Sequence, residues 1–256
     1  MQFDLTRPNT GRMYDYWLGG HHNFEIDRQF ADQATRNSMF AAESVQQIRS
    51  SVKRFVEHMY RQGIRVFLDF GASLPTCNNT HLVAQALDPN VRVVYSDIDP
   101  ITVAYAQEIL SETRNVIYLH ADATHPETVL QSPQTLGLIG AERKVGFLFL
   151  NLSHIIADAQ FHSALQILYD WAAPGSYLAL SQASELWNTE PDLVAIANSY
   201  RLQKITPYFR SQAEILMLVS RWKLAEPGIV NNWDWGAAPA SVFQKRVLGY
   251  SMLLAK

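Results

Sequence analysis

The sequence has few of the features that mark secreted, membrane-spanning or nucleic-acid-binding proteins. Cys77 is its only cysteine, which excludes an intramolecular disulfide and a cysteine-based zinc site. No stretch reaches the roughly 18 uninterrupted apolar residues of a membrane span, and the first residues lack an apolar signal core. Lysine and arginine form no cluster, and the formal net charge is −3. We therefore expect a cytoplasmic protein whose partner is a small molecule rather than nucleic acid or a membrane.

Strand-like and helix-like segments alternate through the middle of the chain. Of its 256 residues, 48% are hydrophobic, which is enough for one sizeable domain. Short apolar runs that are typical of buried parallel strands occupy 66–70, 91–95, 116–119, 145–150 and 177–180. Helical spacing occupies 41–61, 82–87, 101–110, 127–131 and 161–171. This alternation predicts an α/β fold with a doubly wound, mostly parallel sheet.

The first thirty residues are polar and aromatic and lack strand-like runs. Met13, Tyr14, Trp17 and Phe24 are too apolar to remain in water, so we expect an ordered helical arm rather than a disordered tail. The chain is thus divided into an N-terminal arm and helix over 1–62 and an α/β domain over 63–256, which together form a single structural unit.

The first predicted strand leads into a loop that contains little glycine. In a doubly wound sheet, ligands lie at the carboxyl ends of the strands, so residues just after each strand are the candidates. Gly71 allows close backbone approach, and Asp69 can attract a cationic ligand. Ser73 and Thr76 stand where a dinucleotide fingerprint requires glycine. The loop is therefore a poor cradle for a pyrophosphate.

Carboxylates follow the second and third predicted strands. Asp97 can accept hydrogen bonds from both hydroxyls of a ribose, whereas Asp99 precedes a proline and suits a helix N-cap. Asp122 can accept a hydrogen bond from an adenine amino group. His120, Asp122 and His125 are alternatively metal ligands, but their spacing matches no zinc pattern, and we expect no metal.

The segment RPNTGRMYDYWLGG at 7–20 carries a specific family resemblance. Further matching segments are FLDFG at 67–71, LPT at 74–76, VYSDIDP at 94–100, AD at 121–122 and APGSY at 173–177, with a weaker match at 226–228. On these residues, which span nearly the whole chain, it resembles the actinobacterial-type S-adenosylmethionine (SAM)-dependent methyltransferases, a family formerly classed as a domain of unknown function.

The resemblance implies a class I methyltransferase fold, with a seven-stranded Rossmann-like sheet whose last strand, near 246–254, runs antiparallel. It also implies that the N-terminal arm folds over the cofactor, SAM, and that the methyl group passes to an unidentified small molecule. Asp69 and Gly71 would contact the methionine portion, Asp97 the ribose and Asp122 the adenine. The predicted cofactor-binding set is completed by Arg12, Tyr14, Tyr16, Ser73, Ile98, Ala123 and Asn151.

The sequence departs from the family pattern at two places. Ser73 stands where glycine is usual, which places a side chain near the expected path of the methionine end. His21 and His22 stand where a polar pair such as Lys-Asp is usual, which indicates a different substrate.

Histidines supply the candidate catalytic groups. His154 ends the segment Asn151-Leu152-Ser153-His154 after the fourth strand and is the first candidate for a general base, followed by His21 and His22. The segment is not the Asn-Pro-Pro-aromatic motif of amino-directed methyltransferases, so it does not identify the acceptor. Because methyl transfer is an in-line displacement that depends mainly on positioning, a base is not a requirement.

Two other functions remain open on the sequence. Tyr200 and Lys204 have the Tyr-x-x-x-Lys spacing of short-chain dehydrogenases, although the fuller glycine loop of an NAD(P)-dependent enzyme is lacking. A protein that binds SAM without transferring its methyl group is the second alternative. We expect SAM and S-adenosylhomocysteine to bind and NAD not to bind.

Overall fold

The structure, a computed structural model, describes residues 8–37, 40–75, 79–202, 205–232, 235 and 247–256. Its helices are α1 Thr10–Trp17, α2 Glu25–Asn37, α3 Phe40–Arg61, α4 Thr80–Leu87, α5 Pro100–Ile109, α6 Glu127–Leu130, α7 Pro133–Ile139, α8 Asp158–Trp171, α9 Pro191–Leu202 and α10 Gln212–Leu218. Its strands are β1 Val66–Phe70, β2 Arg92–Asp97, β3 Val116–His120, β4 Gly146–Phe149, β5 Tyr177–Ala183, β6 Lys223–Leu224, β7 Val230–Asn231 and β8 Gly249–Ala255. None of the described helices is both long and apolar enough to cross a membrane.

The strands form one mostly parallel sheet in the order β3-β2-β1-β4-β5-β8-β6. β1 to β5 pair in parallel, whereas β8 runs antiparallel to β5, which confirms the predicted doubly wound sheet. β6 and β7 both pair with β8, at successive parts of its length. They therefore act as one interrupted edge strand, and this interruption is why the sheet has seven or eight strands depending on how they are counted.

The central strands consist mainly of consecutive apolar residues because helices cover both faces of the sheet. Every residue of β1 and β4 is buried. On one face, Phe67 and Leu148 pack with Phe55 and Val56 of α3. On the other, Leu68 and Phe147 pack with residues of α8. Alternate residues of one strand thus serve opposite layers of the core.

Several predicted boundaries moved by a few residues, and some features were missed. The final strand begins at Gly249 rather than at 246, a position outside the described residues. α7 was not predicted, although Ser132 caps it and Pro133 is its first residue. Cys77, Thr76 and Lys204 lie outside the described residues, as does the side chain of Tyr200, so the dehydrogenase-like pair is not seen.

Candidate functional site at the carboxyl ends of the strands

Ser73 links the loop after β1 to its neighbours. Gly71 and Ser73 both have a positive φ, of 63° and 58°, which lets the loop turn sharply. The backbone N–H of Ser73 donates to Asp97 Oδ2 at 3.1 Å, and its carbonyl accepts from the Tyr118 hydroxyl at 2.8 Å. The Ser73 hydroxyl donates to the carbonyl of Gly11 in the arm at 3.3 Å. The side chain that replaces the usual glycine therefore joins the loop to the arm.

Asp97 and Asp99 have separate tasks at the end of β2. Asp97 Oδ1 accepts from the backbone N–H of Asp99 at 2.9 Å, while Oδ2 accepts from Ser73. Asp99 caps α5 through a hydrogen bond from Thr102 N, as its position before Pro100 predicts. Burial is the main cause that raises the pKa of Asp97. Each carboxylate oxygen can accept more than one hydrogen bond, so Asp97 retains acceptor capacity for a ligand.

Asp69, the second carboxylate of the site, is buried at the end of β1. Its Oδ2 accepts from the Thr80 hydroxyl at 2.6 Å. Burial raises the pKa of Asp69 from 3.8 to about 6, while Thr80 and Arg49 act to lower it and Asp97 acts to raise it. Asp69 and Asp97 therefore form an acidic pair that would interact favourably with a cationic ligand.

The end of β3 lies next to the end of β2. Asp122 Oδ1 accepts from both the backbone N–H and the hydroxyl of Thr124, each at 2.8 Å. The side chain of Ile98 is 62% exposed, and Ala123 is buried. Among the described residues, no group of three or more His, Cys, Asp or Glu is arranged to hold a metal ion.

His154 lies in a short 3₁₀ turn after β4 and is only 6% exposed. Its carbonyl accepts from the backbone N–H of Tyr208 at 2.6 Å. Burial, helped by the nearby Arg210 cation, lowers the pKa of His154 to about 4. The imidazole is therefore neutral and only weakly basic at pH 7. Asn151, at the start of the same loop, has a φ of 54° and donates its N–H to the Ser181 hydroxyl at 2.7 Å.

Arg210, which no sequence pattern indicated, holds this loop in place. It is 3% exposed and donates to the carbonyls of Ser153 and Ile156 at 2.8 and 2.6 Å. It also donates to Gln182 Oε1 of β5 at 2.9 Å and pairs with Asp158 at the start of α8. One cation thus connects the turn, a strand and a helix.

The arm is organised around a buried ion pair. Arg12 is 1% exposed, and its Nε donates to Asp27 Oδ2 at 2.7 Å. Its guanidinium also lies 5.3 Å from the centre of the Phe24 ring. Tyr16 donates its hydroxyl to Asp32 of α2 at 3.1 Å. Arg12 and Tyr16 therefore hold α1 and α2 together, and their predicted contact with the cofactor stays a prediction.

The first turn of α1 docks on the loops after β1 and β2. Asn9 donates its side-chain N–H to Asp99 Oδ2 at 3.1 Å, beside the bond from Ser73 to Gly11. A methyl group at Gly11 would lie 2.9 Å from the Ser73 hydroxyl oxygen, so the two segments are in close contact. The beginning of the arm therefore lies directly against the candidate ribose-binding segment.

The candidate bases do not share one location. The His22 ring packs edge-on against Tyr105 of α5, with ring centres 6.2 Å apart, and the backbone N–H of His22 donates to Asp15 Oδ2. His21, beside it, is exposed. α5 follows β2, whereas His154 follows β4, and β1 separates these two strands in the sheet. His22 and His154 thus lie on different sides of the loop after β1.

Comparisons with known proteins agree on one family. The sequence model described as S-adenosyl methyltransferase matches residues 1–251. The crystal structure of a candidate methyltransferase from Thermobifida fusca is 30% identical, covers 99% of this chain and 96% of its own, and superposes with a TM-score of 0.89. A DUF574 family protein from Streptomyces avermitilis is 27% identical, with full coverage of both chains and a TM-score of 0.90.

A more distant likeness extends only to the fold. Human N-acetylserotonin methyltransferase, solved in complex with SAM, is 15% identical and superposes with a TM-score of 0.51 over 98% of this chain and 63% of its own. A comparison with curated proteins gave no match.

Proposed function

The chain belongs to the S-adenosyl methyltransferase family, and from that premise we propose that it transfers the methyl group of SAM to a small molecule beneath its N-terminal arm. Membership of this family identifies SAM as the cofactor, which donates the methyl group. The net charge of −3 favours a small, neutral or cationic acceptor over nucleic acid. The arm and helix within 1–62 would cover the site, and the α/β domain over 63–256 would form the surface on which SAM lies.

The acidic pair at the ends of β1 and β2 is the observation that carries the proposal. SAM supplies an activated methyl group on a positively charged sulfur. Asp97 keeps acceptor capacity on both oxygens, which suits the two ribose hydroxyls, and Asp69 suits the cationic methionine end. Gly71 lets the methionine end approach the backbone. Ile98, Asp122 and Ala123 would receive the adenine, with the exposed Ile98 side chain against its ring.

The residues after β4 favour catalysis by positioning. Asn151 would contact the methionine end, and Arg210 holds the turn that follows it. His154, with a pKa of about 4, is better suited to fixing this turn than to removing a proton. An acceptor that must lose a proton would then use His22 or His21 of the arm.

The function is tested by calorimetry and turnover on the full chain. SAM and S-adenosylhomocysteine are expected to bind, and NAD is not, because the loop after β1 lacks a pyrophosphate cradle. Release of S-adenosylhomocysteine with a panel of small hydroxyl, amine and thiol acceptors would demonstrate transfer. Binding of NAD without binding of SAM would refute the proposal, and SAM binding with no turnover across broad panels would favour a binding protein.

Replacing Asp27 by alanine is expected to release the arm and to weaken SAM binding about tenfold. Asp27 accepts from the backbone N–H groups of Asn9 and Phe24 as well as from Arg12 Nε, so one substitution removes three contacts. Hydrogen exchange should accelerate in α1 and α2 while the sheet keeps its protection.

Glu25→Ala is the matched control, because this exposed carboxylate on the same helix pairs with the surface residues Arg28 and Gln29. It should change neither exchange nor affinity. Full SAM affinity in an Asp27→Ala protein whose arm exchanges rapidly would show that the arm serves another purpose.

Replacing His154 by alanine is expected to lower the melting temperature and the SAM affinity together. The buried ring occupies space under the loop, and its removal leaves a cavity there. Turnover with an identified acceptor should fall no further than these losses explain. A drop of about 10²–10⁴ in turnover with unchanged stability and SAM affinity would instead establish His154 as the general base.

A further inference from the structure

Two buried polar side chains meet between α3 and the start of α4. Arg49 is 6% exposed and Asn79 is 1% exposed. Arg49 Nη1 donates to Asn79 Oδ1 at 2.6 Å. Within the part of the chain that the structure describes, Arg49 Nε and Asn79 Nδ2 have no hydrogen-bond partner. Buried polar groups are nearly always paired, so unpaired donors on two side chains that are hydrogen-bonded to each other indicate a missing acceptor.

The position of Asn79 at the start of α4 also favours a missing acceptor. Asn79 is the N-cap residue of α4, yet its side chain makes no capping hydrogen bond and turns to Arg49 instead. The N-terminus of a helix carries partial positive charge, which favours an anion there. The two unpaired donors, the guanidinium charge and the helix end therefore all favour a small anion.

The pair lies next to the acidic residue of β1. Thr80, adjacent to Asn79 in the chain, donates its hydroxyl to Asp69. Arg49 is close enough to Asp69 to act to lower the pKa of that carboxyl. The Arg49 guanidinium also lies 5.3 Å from the centre of the Tyr14 ring. A positive and a negative group thus both lie near the carboxyl end of β1, connected through the adjacent residues Asn79 and Thr80.

We infer that Arg49 and Asn79 bind the α-carboxylate of the methionine part of SAM, while Asp69 faces its α-ammonium group. This inference rests on the proposed function and assigns two residues to it. A free amino acid end is a zwitterion, and its two charges need partners of opposite sign a few ångströms apart. Tyr14, predicted as a cofactor contact, then acts by supporting the Arg49 guanidinium.

The test compares SAM with decarboxylated SAM, which lacks only the carboxylate, by calorimetry on the full chain. Decarboxylated SAM carries one more net positive charge, so the acidic pair alone would make it the tighter ligand. The wild-type protein is expected to prefer SAM about ten- to hundredfold, since a charge-assisted bidentate contact is lost. Equal affinities, or tighter binding of the decarboxylated ligand, would overturn the inference without any variant.

Variants of Arg49 and Asn79 test whether these two residues cause the preference for SAM over decarboxylated SAM. Arg49→Met should weaken SAM about ten- to hundredfold and change decarboxylated SAM less than about threefold. Asn79→Asp, which keeps the size of the side chain but adds a competing carboxylate, should also remove the preference. Equal weakening of both ligands would show a merely structural role and overturn the assignment.

Arg54→Met on the same helix is the matched control. Arg54 donates to Ser50 and to the carbonyl of Trp235, away from Asn79. This variant should keep the wild-type preference for SAM. Should Arg49→Met fail to fold, Arg49→Lys keeps the charge but loses the planar fork, and its preference should fall between those of the wild type and Asn79→Asp. If the folded wild-type protein binds neither ligand, the proposed function itself fails, which is a distinct result from a lost preference.

Discussion

Replacing Asp97 by alanine is expected to weaken SAM binding about ten- to hundredfold, because one charge-assisted bidentate contact is worth roughly 1.5–3 kcal/mol. The same carboxylate accepts from the backbone N–H groups of Ser73 and Asp99. Its loss therefore removes the proposed ribose acceptor and also loosens the loop after β1. Calorimetry with SAM and with S-adenosylhomocysteine should show losses of similar size, because the two ligands share the ribose.

A control for this prediction lies near the amino ends of the strands, opposite the candidate site. Asp88, at the end of α4, pairs with Arg65 just ahead of β1, and Asp88→Ala should leave SAM affinity unchanged. Unchanged SAM affinity in Asp97→Ala would remove Asp97 from the site. Asp97→Asn separates the charge from the loop geometry, since an amide oxygen can still accept one of the two backbone bonds.

Replacing Asp69 by asparagine is expected to have opposite effects on cofactor binding and on stability. Asp69 is buried, and its pKa is raised from 3.8 to about 6. The folded state therefore holds this proton more tightly than the unfolded state does. Its contribution to stability is fully present below about pH 4 and is lost as the pH rises through about 6. At pH 7.5 the ionised carboxylate destabilises the fold, and the neutral amide removes that cost.

The expected gain at pH 7.5 is at most on the order of 3 kcal/mol, since the pKa is raised from 3.8 to about 6 and each pKa unit corresponds to about 1.4 kcal/mol. It should shrink toward zero at about pH 3, below the ordinary pKa of 3.8, where Asp69 is mostly protonated in both states. SAM affinity should fall about tenfold or more, because the proposed partner of the methionine ammonium loses its charge. Denaturant unfolding at the two pH values and calorimetry with SAM measure both effects on one protein.

A less stable Asp69→Asn protein at pH 7.5 would mean that the hydrogen bond from Thr80 outweighs the burial of charge. Unchanged SAM affinity would place the cofactor's cationic end elsewhere. Higher stability together with weaker SAM binding is the expected result if Asp69 is kept as a buried, charged residue because it binds the cofactor.

The acidic residues at the strand ends could be read from the sequence because they depend on local pattern. An apolar run followed by glycine or aspartate marks the end of a parallel strand, and such ends meet at one edge of the sheet. That rule sufficed for Asp69, Asp97 and Asp122. The capping role of Asp99 followed in the same way from the proline after it.

The protonation of a side chain could not be read from the pattern. His154 follows a strand and is a natural candidate for a base, yet its burial and the nearby Arg210 cation lower its pKa to about 4. Arg210 is 56 positions away in the chain. Nor could the pattern show that the Ser73 hydroxyl donates to the carbonyl of Gly11, because the arm is distant from this loop in the sequence.

The sequence by itself determined the strand–helix alternation, the antiparallel last strand implied by its family resemblance, and the carboxylates at the strand ends, because each of these depends on neighbouring residues or on a family motif. Only the tertiary structure decided the partners of the buried arginines: Arg12 with Asp27, Arg49 with Asn79 and Arg210 with Gln182. The sequence alone does not show which residues these arginines contact. A buried charge takes whichever partner the packing brings within about 3 Å, and that distance depends on how helices and strands distant in the chain come together.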